Sequence, residues 1–208
     1  MSITTVTFSS QKEAAALRAA AIKGARRLSS GAFATAYLKP GRKPIVIKVG
    51  SMGDAYIEYA KKVIQSKSKN PFLPKLHSLT LYKGKRELCD VDGLDYHEFY
   101  VVKMERLYDL QDKHENNIGR ICDMFEQIVE YNYSVDKWIK SNDYGSFCVP
   151  GVIDVKVNID KQALKLLKDL RRVVMKALRV SGCGDWDIHD GNIMVRKNGQ
   201  LVLTDPIA

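Results

Sequence analysis

Apolar residues recur along this chain at two periods, and the change between them predicts two lobes. Residues 11–27 favour helix by propensity, with a weak Ala and Leu stripe. Two short β-like runs follow at 33–38 and 45–50, joined by the turn-rich KPGRKP of 39–44. Between 54 and 65 the spacing becomes helical, with Tyr56, Ile57, Ala60, Val63 and Ile64 on one side. Strands are predicted at 76–83 and 96–104, around the turn-rich 90–95. Beyond about 107 the pattern is helical: Ile118, Ile121, Cys122, Phe125, Ile128 and Val129 form one stripe. Ala163, Leu166, Leu167, Leu170, Val173, Val174, Ala177 and Leu178 form a second, with Asp160 as candidate N-cap. Asn198-Gly199 between apolar runs at 192–196 and 201–205 is a strong hairpin signal. The lobes are expected to join near 104–108.

Composition narrows the class. At 208 residues, 45% hydrophobic and 27% charged, the chain is long enough for one or two compact lobes. No apolar run approaches the roughly 20 residues of a membrane helix. The start has no basic stretch followed by an apolar one, so no secretory signal is expected. Cys89, Cys122, Cys148 and Cys183 are scattered without a C-x-x-C pair, which disfavours a zinc site or a disulfide scaffold.

Charge is unevenly placed. The formal net charge is +9, yet residues 87–136 hold 13 acids against 4 bases. Residues 59–86 hold eight bases and no acid, and 161–180 seven bases to one acid. Such asymmetry fits either an acidic partner or solvated helix faces.

Three segments concentrate chemistry. In LSSGAFATAY at 28–37, small residues between strands would let backbone N–H groups approach phosphates, with Phe33 folding over them; an ordinary β-turn is the plainer alternative. In IVIKV at 45–49, alternation puts Lys48 on one face with Val46, and Ile45, Ile47 and Val49 on the other. A lysine so placed must reach water or meet an anion. The third is DWDIHDGN at 185–192, followed by LVLTD at 201–205. A carboxylate to take a hydroxyl proton, Asp187, with oxygen ligands for Mg²⁺ from Asn192 and Asp205, is what phosphoryl transfer needs. Asp185 and Asp190 read more simply as turn caps, and His189 as a structural tie. Asp185-Trp186-Asp187 also reads as the D-x-D of nucleotide-sugar transferases, but no parallel α/β sheet precedes it.

Together these segments resemble the protein kinase signature set of Gly-rich loop, V-A-I-K strand, catalytic loop and D-F-G, in order and spacing. The chain is most similar to the early serine/threonine protein kinases of T7-type bacteriophages, loosely over 26–208 and densely in 26–50 and 184–206. That resemblance implies an α+β, kinase-like, two-lobed fold: a helical segment at 1–27, an antiparallel β N-lobe with one helix at 28–105, and a reduced, mainly helical C-lobe at 106–208. It implies that Ser30, Gly31 and Phe33 cover ATP phosphates and that Lys48 holds the α/β-phosphates. Asp187 would be the catalytic aspartate, and Asn192 and Asp205 the Mg²⁺ ligands. A glutamate of the following helix should pair with Lys48; Glu58 is the candidate, a pair with Lys61 or Lys62 being its alternative. Backbone near Met104 and Glu105 would meet adenine. The implied setting is the cytoplasm of an infected bacterium, with host proteins and the kinase itself as substrates.

The chain also departs from the pattern. One glycine remains in the loop, Asp185 stands where a histidine is usual, and Trp186 replaces the arginine that reads a phosphorylated activation loop. Three residues follow Asp205, so no activation segment, A-P-E or peptide-docking helices are expected, nor a basic transcription shut-off tail. Two alternatives remain: a small-molecule kinase of the aminoglycoside or choline type, whose D-x-H-x-x-N loop is similar to 187–192, and a non-catalytic binder of host proteins. Nucleic acid ranks last, because no binding motif accompanies the bases.

Overall fold

The computed structural model describes residues 2–85, 97–110, 115–132, 146–149, 155–158, 161–182 and 185–208. It is a mixed α+β structure of two compact units, residues 1–65 with 75–106, and residues 66–74 with 107–208.

The first unit runs β1 (Ser2–Phe8), α1 (Gln11–Ala21), β2 (Arg26–Ser30), β3 (Ala34–Lys39), β4 (Ile45–Ser51), α2 (Tyr56–Ser66), β5 (Leu76–Gly84) and β6 (Phe99–Glu105). The strands form one sheet in the order β1-β5-β6-β4-β3-β2. Every pairing is antiparallel except β1 with β5. Two elements differ from the sequence expectation. Residues 2–8, assigned to a helical segment, form an edge strand, and 26–30, assigned to that helix or the loop after it, form the other edge. The helix itself starts where Ser10 accepts from the Glu13 N–H and Glu13 reaches back to the Ser9 N–H at 2.7 Å. It stops at Ala21, with Gly24 in the left-handed region at φ 74°.

Alternation along β4 sends its residues to two different faces. Ile47 and Val49 join Phe8, Ala14, Phe99 and Val101 in a buried cluster on which Leu17 and Ala21 of α1 pack. Lys48 belongs to the other face, where α2 buries Tyr56, Ile57, Tyr59, Ala60, Val63 and Ile64. The unit therefore carries two helices rather than one, and α1 is part of it.

The second unit contains β7 (Tyr108–Asp109), α3 (Glu115–Phe125, continuing as a π turn through Glu130), β8 (Ser146–Val149), β9 (Val155–Asn158), α4 (Lys161–Ser181), β10 (Ile193–Val195) and β11 (Leu201–Leu203). β11, β10 and β7 form a small antiparallel sheet, and β8 pairs with β9. The expected stripe of α4 is buried at Leu167, Leu170, Val174 and Ala177. Removing a Leu or Val side chain from water contributes about 1.5–3 kcal/mol, so this stripe holds the helix in place. Ile121, Phe125 and Val129 are buried as well. Asp160 and the turn-rich 90–95 lie outside the described residues.

Segment 66–74, between α2 and β5 in sequence, belongs to this second unit. Buried Asn70 donates to the Leu166 carbonyl at 2.6 Å, Phe72 meets Phe125 edge-on, and Arg196 donates to the carbonyls of Pro71 and Leu73. The hairpin of β10 and β11 turns through Lys197, Asn198 and Gly199. Gly199 alone among them is left-handed, at φ 81°, and its N–H donates to the Arg196 carbonyl. This is a three-residue turn closed by glycine rather than the two-residue Asn-Gly turn the dipeptide suggests.

Candidate functional site

Residues predicted for the site fall in both units. In the first, β2 and β3 meet at a tight connection, where the Gly31 N–H donates to the Ala34 carbonyl at 2.8 Å. Ser30 sits in β2 with its hydroxyl 3.0 Å from that of Thr35. Phe33 stands at the tip, 60% exposed. A side chain built at Gly31 would meet only the Ala34 carbonyl oxygen, at 3.9 Å. Packing within the chain therefore does not by itself demand glycine there.

Lys48 is paired in the sheet between Ala36 and Val102. Its Nζ lies 3.5 Å from the centroid of the Tyr56 ring, a cation–π contact. Glu58, the glutamate expected to reach Lys48, instead accepts from Lys61 at 2.6 Å, as the i, i+3 alternative anticipated. Backbone at 104–105 lies within the sheet: Met104 is paired with Val46 and Leu76, and the Glu105 N–H donates to the Lys75 carbonyl at 3.0 Å. The Glu105 N–H is therefore already engaged by the residue that precedes β5.

In the second unit, two stretches 12 or more residues apart in sequence are stitched together. The Asp187 N–H donates to the Pro206 carbonyl at 2.9 Å, the Ala208 N–H to the Asp185 carbonyl at 3.2 Å, and Trp186 bridges Ile207. Thr204 closes the other end, donating both its N–H and its hydroxyl to the Asn192 carbonyl. Asp205 follows Thr204 directly, so the chain itself sets it beside the turn that carries Asn192.

Within that turn the Asn192 amide is the hub. Its nitrogen donates to the Asp187 carboxylate at 2.8 Å and to the Asp187 carbonyl at 2.9 Å, and lies 2.9 Å from His189 Nε2. With the nitrogen turned inward, the amide oxygen is the atom left to meet a cation. His189 accepts from the Gly191 N–H through Nδ1. It acts as the tie that the sequence suggested. A Cβ at Gly191 would come within 2.8 Å of this imidazole, so glycine makes room for the ring.

Negative charge accumulates beside the turn. Burial first, then Asp190, Glu126 and Asp123, push the Cys122 thiol up to about 11. Among the described residues no three His, Cys, Asp or Glu side chains converge as a metal cluster. The donors expected from the sequence, the Asn192 amide oxygen and the Asp205 carboxylate, are hard oxygen atoms of the kind Mg²⁺ takes alongside water and phosphate.

Sequence reasoning missed Asp54, Tyr56 and Tyr100. Asp54 is buried and accepts from the Tyr56 N–H at 2.9 Å and the Tyr100 hydroxyl at 2.5 Å. Tyr56 and Tyr100 read as ordinary core positions; an acid two residues before an apolar helical stripe is the one available signal.

A protein-family model described as bacteriophage T7 protein kinase 0.7 matches residues 81–208. No curated protein matches the chain. Among solved structures, the crystal structure of the aminoglycoside phosphotransferase APH(4)-Ia is similar at 10% identity and a TM-score of 0.41, covering 94% of this chain and 71% of that one. No helix among the described residues is long and apolar enough to cross a membrane.

Proposed function

Since the chain belongs to the bacteriophage T7 protein kinase family, a family of kinases, we propose that it is a Mg-ATP-dependent serine/threonine protein kinase. Its substrates are proteins of the infected bacterium, itself among them, in the bacterial cytoplasm. The observation that carries this reading is the double donation from Thr204 to the Asn192 carbonyl, which ties the turn of Asp187 and Asn192 to the strand end bearing Asp205.

Roles follow from donor chemistry. Asp187 accepts a bond from Asn192 and keeps a carboxylate that can orient the acceptor hydroxyl and take its proton. The hydroxyl oxygen then bonds to the γ-phosphorus as the bond to the bridging oxygen of the ADP leaving group breaks. Asn192, through its amide oxygen, and Asp205 would hold Mg²⁺, which when bound spreads the charge on the phosphates. Lys48 supplies a fixed positive charge for the α/β-phosphates. Ser30, Gly31 and Phe33 supply a small-residue turn with an aromatic tip.

Incubation of the chain with Mg²⁺ and γ-labelled ATP, alone and with bacterial lysate, tests this against Asp187→Asn and Asp205→Ala. Label on protein from the unaltered chain alone is the expected result. Equal label from all three overturns the site. Label found only on a small alcohol moves the activity to the aminoglycoside or choline type.

A further inference from the structure

The central strand β4 presents Lys48 on the face of the sheet that α2 covers, and an aromatic ring lies against its ammonium there. Tyr56, in the first turn of α2, has its ring centroid 3.5 Å from Nζ, well inside the roughly 6 Å over which a ring face attracts a cation. The ring is itself held from several sides. Its residue is 1% exposed, its N–H donates to Asp54 Oδ1 at 2.9 Å, and its hydroxyl lies 4.0 Å from the Met104 sulfur. Asp54 is fixed in turn by the Tyr100 hydroxyl, which donates to Oδ2 at 2.5 Å. Tyr100 is fully buried, with its ring centroid 6.0 Å from that of Tyr56.

Gly50 completes the arrangement. It is the direct partner of Tyr100 across β4 and β6. A Cβ there would come within 2.5–2.7 Å of the tyrosine ring and hydroxyl. Only glycine lets Tyr100 lie across β4 and reach Asp54. Glu58, meanwhile, pairs with Lys61 on the same helix.

We propose that Tyr56, anchored by Asp54 and Tyr100, is a positioning residue for Lys48. The proposal rests on the reading of Lys48 as the ATP-phosphate ligand. A ring and a carboxylate differ in what they do to the lysine. A carboxylate neutralises part of its charge as it fixes the amine, whereas a ring face attracts the ammonium without itself cancelling that charge. The acidic anchor, Asp54, acts one step removed, through the backbone of Tyr56.

Two measurements test this separately from the kinase reading. By NMR of the intact chain, the Lys48 CεH₂ protons lie upfield of the other lysines, shifted by the ring current of Tyr56. An ordinary lysine position for them overturns the proposal whether or not the protein transfers phosphate. In steady-state kinetics Tyr56→Leu raises the KM for ATP about tenfold and changes kcat much less, and Tyr56→Phe, which keeps the ring, restores KM to within about twofold. An unchanged KM in folded Tyr56→Leu, or a larger rise in Glu58→Gln, overturns it. If Lys48→Met leaves ATP binding and transfer intact, the kinase assignment of Lys48 falls, while the NMR result still decides the ring contact.

Discussion

Thr204 donates twice to one atom: its N–H and its hydroxyl each lie 2.8 Å from the carbonyl oxygen of Asn192. The bond matters because Asn192 and Asp205, the oxygen ligands proposed for Mg²⁺, lie 13 residues apart on either side of a hairpin. Thr204 is buried, so its hydroxyl has little access to water as an alternative partner.

Thr204→Val keeps the shape and the N–H bond but loses the hydroxyl bond. The expected cost is about 1 kcal/mol of stability. Phosphoryl transfer should fall by roughly tenfold or more, because misplacing reacting groups by a fraction of an ångström is costly. Denaturant titration and single-turnover transfer measure the two effects; a loss of stability with unchanged transfer contradicts the positional role.

Gly50→Ala should destabilise the first unit by about 1–3 kcal/mol, the usual cost of overpacking a full core. The added methyl meets the Tyr100 ring at 2.5–2.7 Å, and a fully buried tyrosine has nowhere to swing. Thermal unfolding checks this, and a variant as stable as the parent contradicts it.

Gly31→Ala should behave in the opposite way. Its methyl meets nothing nearer than 3.9 Å and the residue is exposed, so stability should change by no more than about 0.5 kcal/mol. The KM for ATP should nonetheless rise, since the new methyl occupies the room assigned to phosphate. Equal loss of stability and binding would make Gly31 a structural residue only.

Cys122 should be slow toward alkylation. Its pKa is raised to about 11 by burial, Asp190, Glu126 and Asp123, in that order. At pH 8 only about one thiol in a thousand is then ionised, so iodoacetamide should react roughly two orders of magnitude more slowly than with free cysteine. The rate should climb as pH rises toward 11, and Asp190→Asn should speed it at pH 8. Reaction at free-cysteine rates contradicts the crowded negative setting, and mass spectrometry of the peptide carrying Cys122 reads it.

Elements with strong periodicity or turn chemistry were legible in the sequence. The stripe through Leu167, Leu170, Val174 and Ala177 repeats at helical spacing because one face is buried, and the structure buries it. Lys48 was assigned to the face opposite Ile47 and Val49 by simple alternation, and it lies there. The edge strands were harder. β1 is mostly exposed and β2 wholly so, which removes the apolar alternation that marks a half-buried strand. The β-branched run Ile3-Thr4-Thr5-Val6-Thr7 was the available signal for β1. Long-range placement of short segments was not legible: nothing in 66–74 announces that Asn70 will meet Leu166 or that Arg196 will hold Pro71 and Leu73. The same holds for Asp54 and Tyr100, 46 residues apart and joined by one hydrogen bond. Glu58 was assigned by analogy, and a local lysine at i+3 takes it instead.

The central claim is that Asp187 handles the acceptor proton in a site built to hold Mg-ATP. The most direct measurement compares Asp187→Asn with the unaltered chain for both ATP affinity and single-turnover transfer to protein at saturating Mg-ATP. The account predicts ATP affinity within about twofold and transfer slower by on the order of 10²–10⁴-fold, the usual contribution of a positioned base. Transfer by Asp187→Asn at the parent rate would contradict it.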